Sequence, residues 1–317
     1  MADAEVGDDG YREDPTVNEL QAVYAERVGK AAALFVPSGV MANQIALRVL
    51  TQPGTIVVAG ARQHIVAYEL GAAGRNAGIQ FDPVDDSDGT IRAADVVRAR
   101  QAADYHQPTT SLVCVENTHM PAGGVPWSLS ALRDVREAAG DLPVHMDGAR
   151  LFNAEIATGV SAAEFADEAT TVMSCLSKGL CAPVGSLLAG PVDFIEAAVI
   201  ERKRLGGAMR QAGVLAAAGL VALQKMVDRL ADDHRRAREL AEAVAERWPD
   251  GGCVPERVVT NIVLFHSRAP GRVLDHLRSE GVLADSIAPG LIRLMTHHDV
   301  DDAGIEQAKR AVAGAPH

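Results

Sequence analysis

The chain alternates short, wholly apolar runs with longer stretches in which apolar residues return every three or four positions. The runs are ALFV (33–36), TIVV (55–58), SLVCV (111–115), LPVHM (142–146), TTVMSC (170–175) and SLLAG (186–190). They are short, rich in β-branched residues and flanked by Gly or Pro, which predicts buried strands rather than helical segments. Between them VMANQIALRVL (40–50), SLSALRDVREAAG (128–140) and SAAEFADEA (161–169) read as helices. Strand–helix alternation on this scale predicts an α/β fold, a mostly parallel sheet with helices on both faces. Asp14-Pro15 predicts the start of the first helix, because an acceptor at the N-cap precedes a proline whose fixed φ suits the first helical position.

After Gly206 the pattern changes. Residues 210–248 hold little turn chemistry, which predicts one long helix or two in succession. Leu230, His234, Ala237, Ala241, Val244 and Trp248 recur at spacings that mark one helical face. Beyond Pro249-Asp250-Gly251-Gly252, the segments VTNIVLF (259–265) and LIRLM (291–295), a helix around 270–280 and a final helix predict a smaller α+β domain. The expected division is an amino-terminal arm (1–13), a large domain (14–232) and a small carboxy-terminal domain (233–317).

Composition narrows the function classes. Thirty Lys+Arg against 42 Asp+Glu leave a formal net charge of −12 in 317 residues. That balance argues against nucleic acid or an anionic membrane surface as a partner. The longest uncharged run, 31–47, is broken by Pro37-Ser38-Gly39, whereas a spanning helix needs about 20 mainly apolar residues. The amino terminus is acidic and lacks the pattern of a signal peptide. Four cysteines without a C-x-x-C pair point to a reducing, cytoplasmic home.

Candidate chemistry gathers at strand ends. Lys178 follows an apolar strand, and alone it reads as a solvated loop lysine; lowered in pKa by burial, it could instead form a Schiff base. Asp147 ends the preceding predicted strand, and the interval between the two holds one helix and one strand. Both could therefore stand at the carboxyl ends of neighbouring strands, the pairing a pyridoxal phosphate (PLP) site requires. FVPSGVMANQ supplies a strand–turn–helix junction at Pro37-Ser38-Gly39, where free amides can hold a phosphate. His297-His298-Asp299 is read as no metal site, because neighbouring histidines on a strand point to opposite faces and no third ligand has metal spacing.

Six blocks carry a resemblance: GDDGYREDPTVNELQ, ALFVPSGVMANQIAL, ENTHM, HMDGARLFNA, SKGLCAPVGSLLAG and GGAMRQAGVLAAAGL. Together, in order and over most of the chain, they resemble the low-specificity L-threonine aldolases, PLP enzymes of fold type I in the β-eliminating lyase and aldolase group. The resemblance implies PLP as cofactor, with Lys178 as its Schiff-base lysine and Asp147 as the partner of its ring nitrogen. It places Ser38, Gly39 and the Val40 amide at the phosphate, with Ser177 and Arg210 as further candidates. It implies that Arg150 and Arg293 bind the substrate carboxylate; otherwise Arg150 reads as an ion pair at a strand end and Arg293 as a solvated edge-strand charge. His64 matches the position that stacks on the cofactor ring, and His119 the one near the substrate hydroxyl. The base is left open among His64, His119 and a water held by them.

The implied reaction is reversible cleavage of L-threonine or L-allo-threonine to glycine and acetaldehyde. The implied assembly is a homotetramer, a dimer of dimers whose active sites lie at an interface that includes YREDP. Alternatives are another PLP lyase or aldolase acting on β-hydroxy or β-substituted amino acids such as phenylserine, or an impaired, amino-terminally shortened homologue. The last follows because the family carries an Arg-Ser-Asp-Thr segment before GDD, and nothing in the six residues before Gly7 matches it. Val40 and Ala208 replace a threonine and a glycine of the family pattern. Cys175 is expected in a buried strand, and Cys181, at a family glycine, is expected to pack in the core.

Overall fold

The computed structural model describes residues 1–101 and 105–317, which fall into two compact units. The first comprises residues 1–118 and 126–227, the second residues 119–125 and 228–317.

The first unit runs α1 (Pro15–Arg27), β1 (Ala32–Val36), α2 (Gly39–Leu50), β2 (Ile56–Gly60), α3 (His64–Ala67), α4 (Ala72–Ala77) and β3 (Gln80–Val84). It continues through α5 (Ala93–Gln101), β4 (Thr110–Glu116), α6 (Leu129–Ala139), β5 (Val144–Asp147), α7 (Leu151–Thr158) and α8 (Ala162–Asp167). It ends with β6 (Thr171–Cys175), β7 (Ser186–Gly190), α9 (Val192–Arg204) and α10 (Gly213–Lys225). Its strands form one sheet in the order β1-β7-β6-β5-β4-β2-β3. The four central strands β6, β5, β4 and β2 pair in parallel, as do β2 and β3; β7 alone runs against both of its neighbours.

Strand parity shows that helices cover both faces. Met173 and Cys175 on β6 pack with Ala42, Ile45 and Ala46 of α2 and with Phe194, Ile195 and Ala198 of α9. Ser174, between them in sequence, points the other way, and its Oγ accepts from the hydroxyl of Tyr24 on α1 at 2.8 Å. Both sides of the central strands are therefore buried, which is why their sequences read as continuous apolar runs rather than alternating ones. The outer strand β3 lies outside the predicted set. Its sequence QFDPV contains a proline, which an edge strand tolerates because one side of its backbone has no ladder to complete.

Asp14 caps α1 as expected: Oδ1 accepts from the Val17 amide at 3.0 Å. Its other oxygen accepts from the amides of Gly213 (2.8 Å) and Gly7 (3.2 Å), so one buried carboxylate ties the arm, α1 and α10 together.

The second unit holds α11 (Leu230–Arg247), β8 (Ile262–His266), α12 (Pro270–Ser279), β9 (Asp285–Ala288), β10 (Leu291–Met295) and α13 (Asp302–Gly314). The predicted helical region is thus two helices, α10 and α11. Its three strands form an antiparallel sheet in the order β8-β10-β9. Ala237, Ala241, Val244 and Trp248 of the predicted face meet Val263, Phe265, Val273, Ile292 and Leu294 in one core. His234 lies on the same face, and burial pushes its pKa down to about 4.

Candidate active site

Four parallel strands deliver their carboxyl ends side by side, the usual place for a ligand in such a sheet. Asp147 is the last residue of β5 and Glu116 the last of β4, and the two are register partners. Lys178 follows the end of the neighbouring strand β6, and His64 begins α3 just beyond β2.

A polar network underlies this edge. Asn43, on the buried face of α2, gives one amide hydrogen to Asp147 Oδ2 and the other to Glu69 Oε1, each at 2.8 Å. Its Oδ1 must then accept, so the His145 Nε2, 3.1 Å away, carries the proton. His145 Nδ1 accepts in turn from the Thr171 hydroxyl at 2.9 Å. Burial pushes the His145 pKa down to about 4 against the pull of Asp147, so the ring is a neutral strut. Glu69, 5% exposed, also accepts from Gln44 Nε2 at 2.7 Å and from His64 Nδ1 at 3.1 Å. The His64 backbone amide donates to Glu116 Oε2 at 2.6 Å, and its ring stacks on Tyr68 with centroids 5.7 Å apart. The hydrogen bond to Glu69 raises the His64 pKa; burial opposes this, Asp147 adds to it, and Lys178 opposes it.

Asp147 is buried and takes neutral donors only, Asn43 on Oδ2 and the Ala149 amide on Oδ1 at 3.0 Å. Among the described residues no cation stands within ion-pair distance of it. Lys178 is half-buried, and its Nζ has no hydrogen-bond or ion-pair partner among the described residues. A buried anion without a counter-ion and an uncommitted amine on adjacent strands fit the ring nitrogen and the aldehyde of PLP.

Ser38 is the N-cap of α2, its Oγ accepting from the Met41 amide at 3.2 Å. Gly39 and Val40 form the first turn, Gly39 half-buried and Val40 exposed. Ser177 is exposed beside Lys178. Arg210 is exposed and paired with Asp8, and Arg150 is half-buried at the start of α7.

Several expectations need correction. His119, which the expected division puts in the large domain, belongs to the second unit, whereas Arg293 lies in the second unit in keeping with that division. His119 is fully buried. Arg293 sits on the central strand β10, not an edge, with Nη1 3.5 Å from Met120 Sδ. Cys175 is buried, but Cys181 is exposed, with φ +63°. It occupies a left-handed turn, where glycine is the natural residue, and contributes nothing to the core. His297 and His298 lie beyond β10 rather than on a strand. Among the described residues the one group of three potential metal ligands is His64, Glu69 and Asp147. Their contacts with each other and with Asn43 already account for that proximity.

Sequence reasoning missed Asn43, Gln44, Glu69 and His145. The available signal was polarity at positions the periodicity assigns to the core. Asn43 and Gln44 interrupt the apolar face of α2, and His145 interrupts a strand in which every residue is buried.

The beta-eliminating lyase family profile matches residues 1–269. Low-specificity L-threonine aldolase 1 of Arabidopsis thaliana is 39% identical over 320 residues, covering 96% of this chain and 88% of that protein. The low specificity L-threonine aldolase of Escherichia coli K12 is 38% identical over 305 residues, covering 95% and 89%. The structure of Leishmania major threonine aldolase superposes with a TM-score of 0.82 at 20% identity, covering 97% of this chain and 90% of that one. By this match the chain belongs to the beta-eliminating lyase family.

Proposed function

We propose that the chain is a PLP-dependent lyase that cleaves L-threonine or L-allo-threonine reversibly to glycine and acetaldehyde. The observation that carries the reading is the pairing at the carboxyl ends of β5 and β6. Asp147 is a buried carboxylate with neutral donors only, and Lys178 an amine with no partner among the described residues. The identity to threonine aldolases supports the choice of substrate.

Bound here, PLP supplies an electron sink for the bond broken at the substrate's α carbon. Lys178 Nζ is the amine for its aldehyde. Asp147 accepts the ring N–H and holds that proton on the nitrogen, which an anion in a buried setting does strongly. Ser38, Gly39 and the Val40 amide hold the phosphate at the start of α2, where unpaired N–H groups and the helix dipole favour an anion. Ser177 and Arg210 are secondary candidates for it; the bond from Arg210 to Asp8 must open first. Arg150 binds the substrate carboxylate, whose planar geometry suits a guanidinium. Arg293 and His119 keep, as proposals, the carboxylate and hydroxyl roles that the resemblance gives them. The β-hydroxyl proton goes to His64, to His119 or to a water held by them. A homotetramer and a cytoplasmic location belong to the same proposal. Among the described residues no helix is long and apolar enough to cross a membrane.

The test is release of glycine and acetaldehyde from threonine by the purified, PLP-supplemented protein. Lys178→Ala is expected to lose both turnover and the visible absorbance of lysine-bound PLP. A wild-type protein that binds PLP but yields no aldehyde from any β-hydroxy amino acid refutes the aldolase reading.

A further inference from the structure

The network beneath His64 is more constrained than ring stacking alone requires. Glu69 is a buried carboxylate whose two oxygens accept three bonds, from Asn43 and His64 on Oε1 and from Gln44 on Oε2. Neither amide can turn over. Gln44 Oε1 accepts from Asn76 Nδ2 at 3.1 Å, which commits its nitrogen to Glu69. Asn43 is committed by two carboxylates on its nitrogen and by His145 on its oxygen. Glu69 therefore cannot rotate without stranding a buried donor, and a carboxylate can only accept.

We propose that Glu69, clamped by Asn43 and Gln44, is a positioning residue that keeps the His64 proton on Nδ1 and leaves Nε2 as the titrating nitrogen. Asn43 extends the same control to Asp147, because one amide group holds both carboxylates at a fixed separation. The groups that bear on His64 are Glu69, Asp147 and Lys178 through their charges, Glu116 at its backbone amide, and the Tyr68 ring. Of these Glu69 alone bonds the imidazole directly among the described residues. Removing its charge while keeping its shape, in Glu69→Gln, lowers the His64 titration midpoint by about one pH unit or more, the usual effect of an opposite charge in contact.

This inference rests on the proposed function for its catalytic consequence but not for its structural core, so two readouts are used. In the full-length protein with 15N-labelled histidines, the His64 ring signals are assigned by their loss in His64→Phe. The neutral wild-type ring is expected as the Nδ1–H tautomer, and its midpoint is expected to fall in Glu69→Gln. An Nε2–H tautomer in the wild type, or an unmoved midpoint, overturns the proposal; the wild-type tautomer decides the matter even if the variant does not fold. In the holoenzyme, the limb of the kcat/KM pH profile for threonine that disappears in His64→Phe is expected to shift the same way in Glu69→Gln. A limb that stays in place also overturns the proposal. A wild-type protein that releases no aldehyde refutes the function instead, and the tautomer then still decides the role of Glu69.

Discussion

Replacing Asp14 by alanine tests how much of the first unit hangs on one side chain. Asp14 is fully buried and accepts from three backbone amides: Val17 in the first turn of α1, Gly213 at the start of α10 and Gly7 in the arm. Losing an N-cap acceptor costs about 1 kcal/mol. Each further buried N–H left without a partner costs about 1–3 kcal/mol. Alanine thus sums to roughly 3–7 kcal/mol, and relief from burying a carboxylate, together with the only part-buried setting of the Gly7 amide, lowers the expectation to about 2–5 kcal/mol. Asp14→Asn keeps one acceptor oxygen but turns an NH2 toward the other amides, so it should fall between alanine and wild type. Asp301 is the internal comparison, an exposed N-cap of α13 that accepts a single bond, from Gly304 N at 2.8 Å. Asp301→Ala should cost about 1 kcal/mol. Urea unfolding followed by fluorescence and by far-UV circular dichroism provides the measurement, with coincident transitions as the condition for using a two-state free energy. An Asp14→Ala variant within about 1 kcal/mol of wild type would refute the reasoning, because Gly7 and Gly213 would then have found other partners.

Two further outcomes follow from the same contacts. A Cβ at Gly148 would lie 2.6 Å from the Met173 carbonyl oxygen. Gly148→Ala should therefore push the Asp147 turn out of place and weaken PLP retention, read as a rise in Kd; an unchanged Kd would show that the turn yields. His145 is depressed from 6.5 to about 4 by burial, so between these values the unfolded chain binds more protons than the native one. Stability is fully present above about pH 6.5 and falls as pH drops toward 4, by on the order of a few kcal/mol. His145→Gln should flatten that loss, and a wild-type-to-variant difference that stays constant from pH 7 to pH 5 would contradict it.

Much of the first unit was legible because its strands are buried on both faces. Burial on two sides forces unbroken apolar runs, so ALFV, TIVV, SLVCV and SLLAG announce themselves. The edge strands β3 and β9 escaped for the complementary reason. QFDPV and DSIA are largely exposed or half-buried and carry polar residues that a central strand would not. Lys178, Asp147 and the Ser38-Gly39 turn were visible as chemistry-bearing residues at predicted strand ends. Glu69 was not, because nothing local distinguishes a buried glutamate five residues past a histidine from a solvated one.

By itself the sequence determined the order of the buried strands, the capping of α1 by Asp14 and the residues placed at strand ends. Those are set by local periodicity and by backbone chemistry within a few residues. Only the tertiary structure decided that β7 runs antiparallel between β1 and β6, and that Asn43 holds two carboxylates and His145. It likewise decided that Cys181 stands in a left-handed turn instead of the core. Each of these depends on residues far apart in the chain meeting in a buried setting, where an unpaired donor or charge is costly enough to dictate its partners.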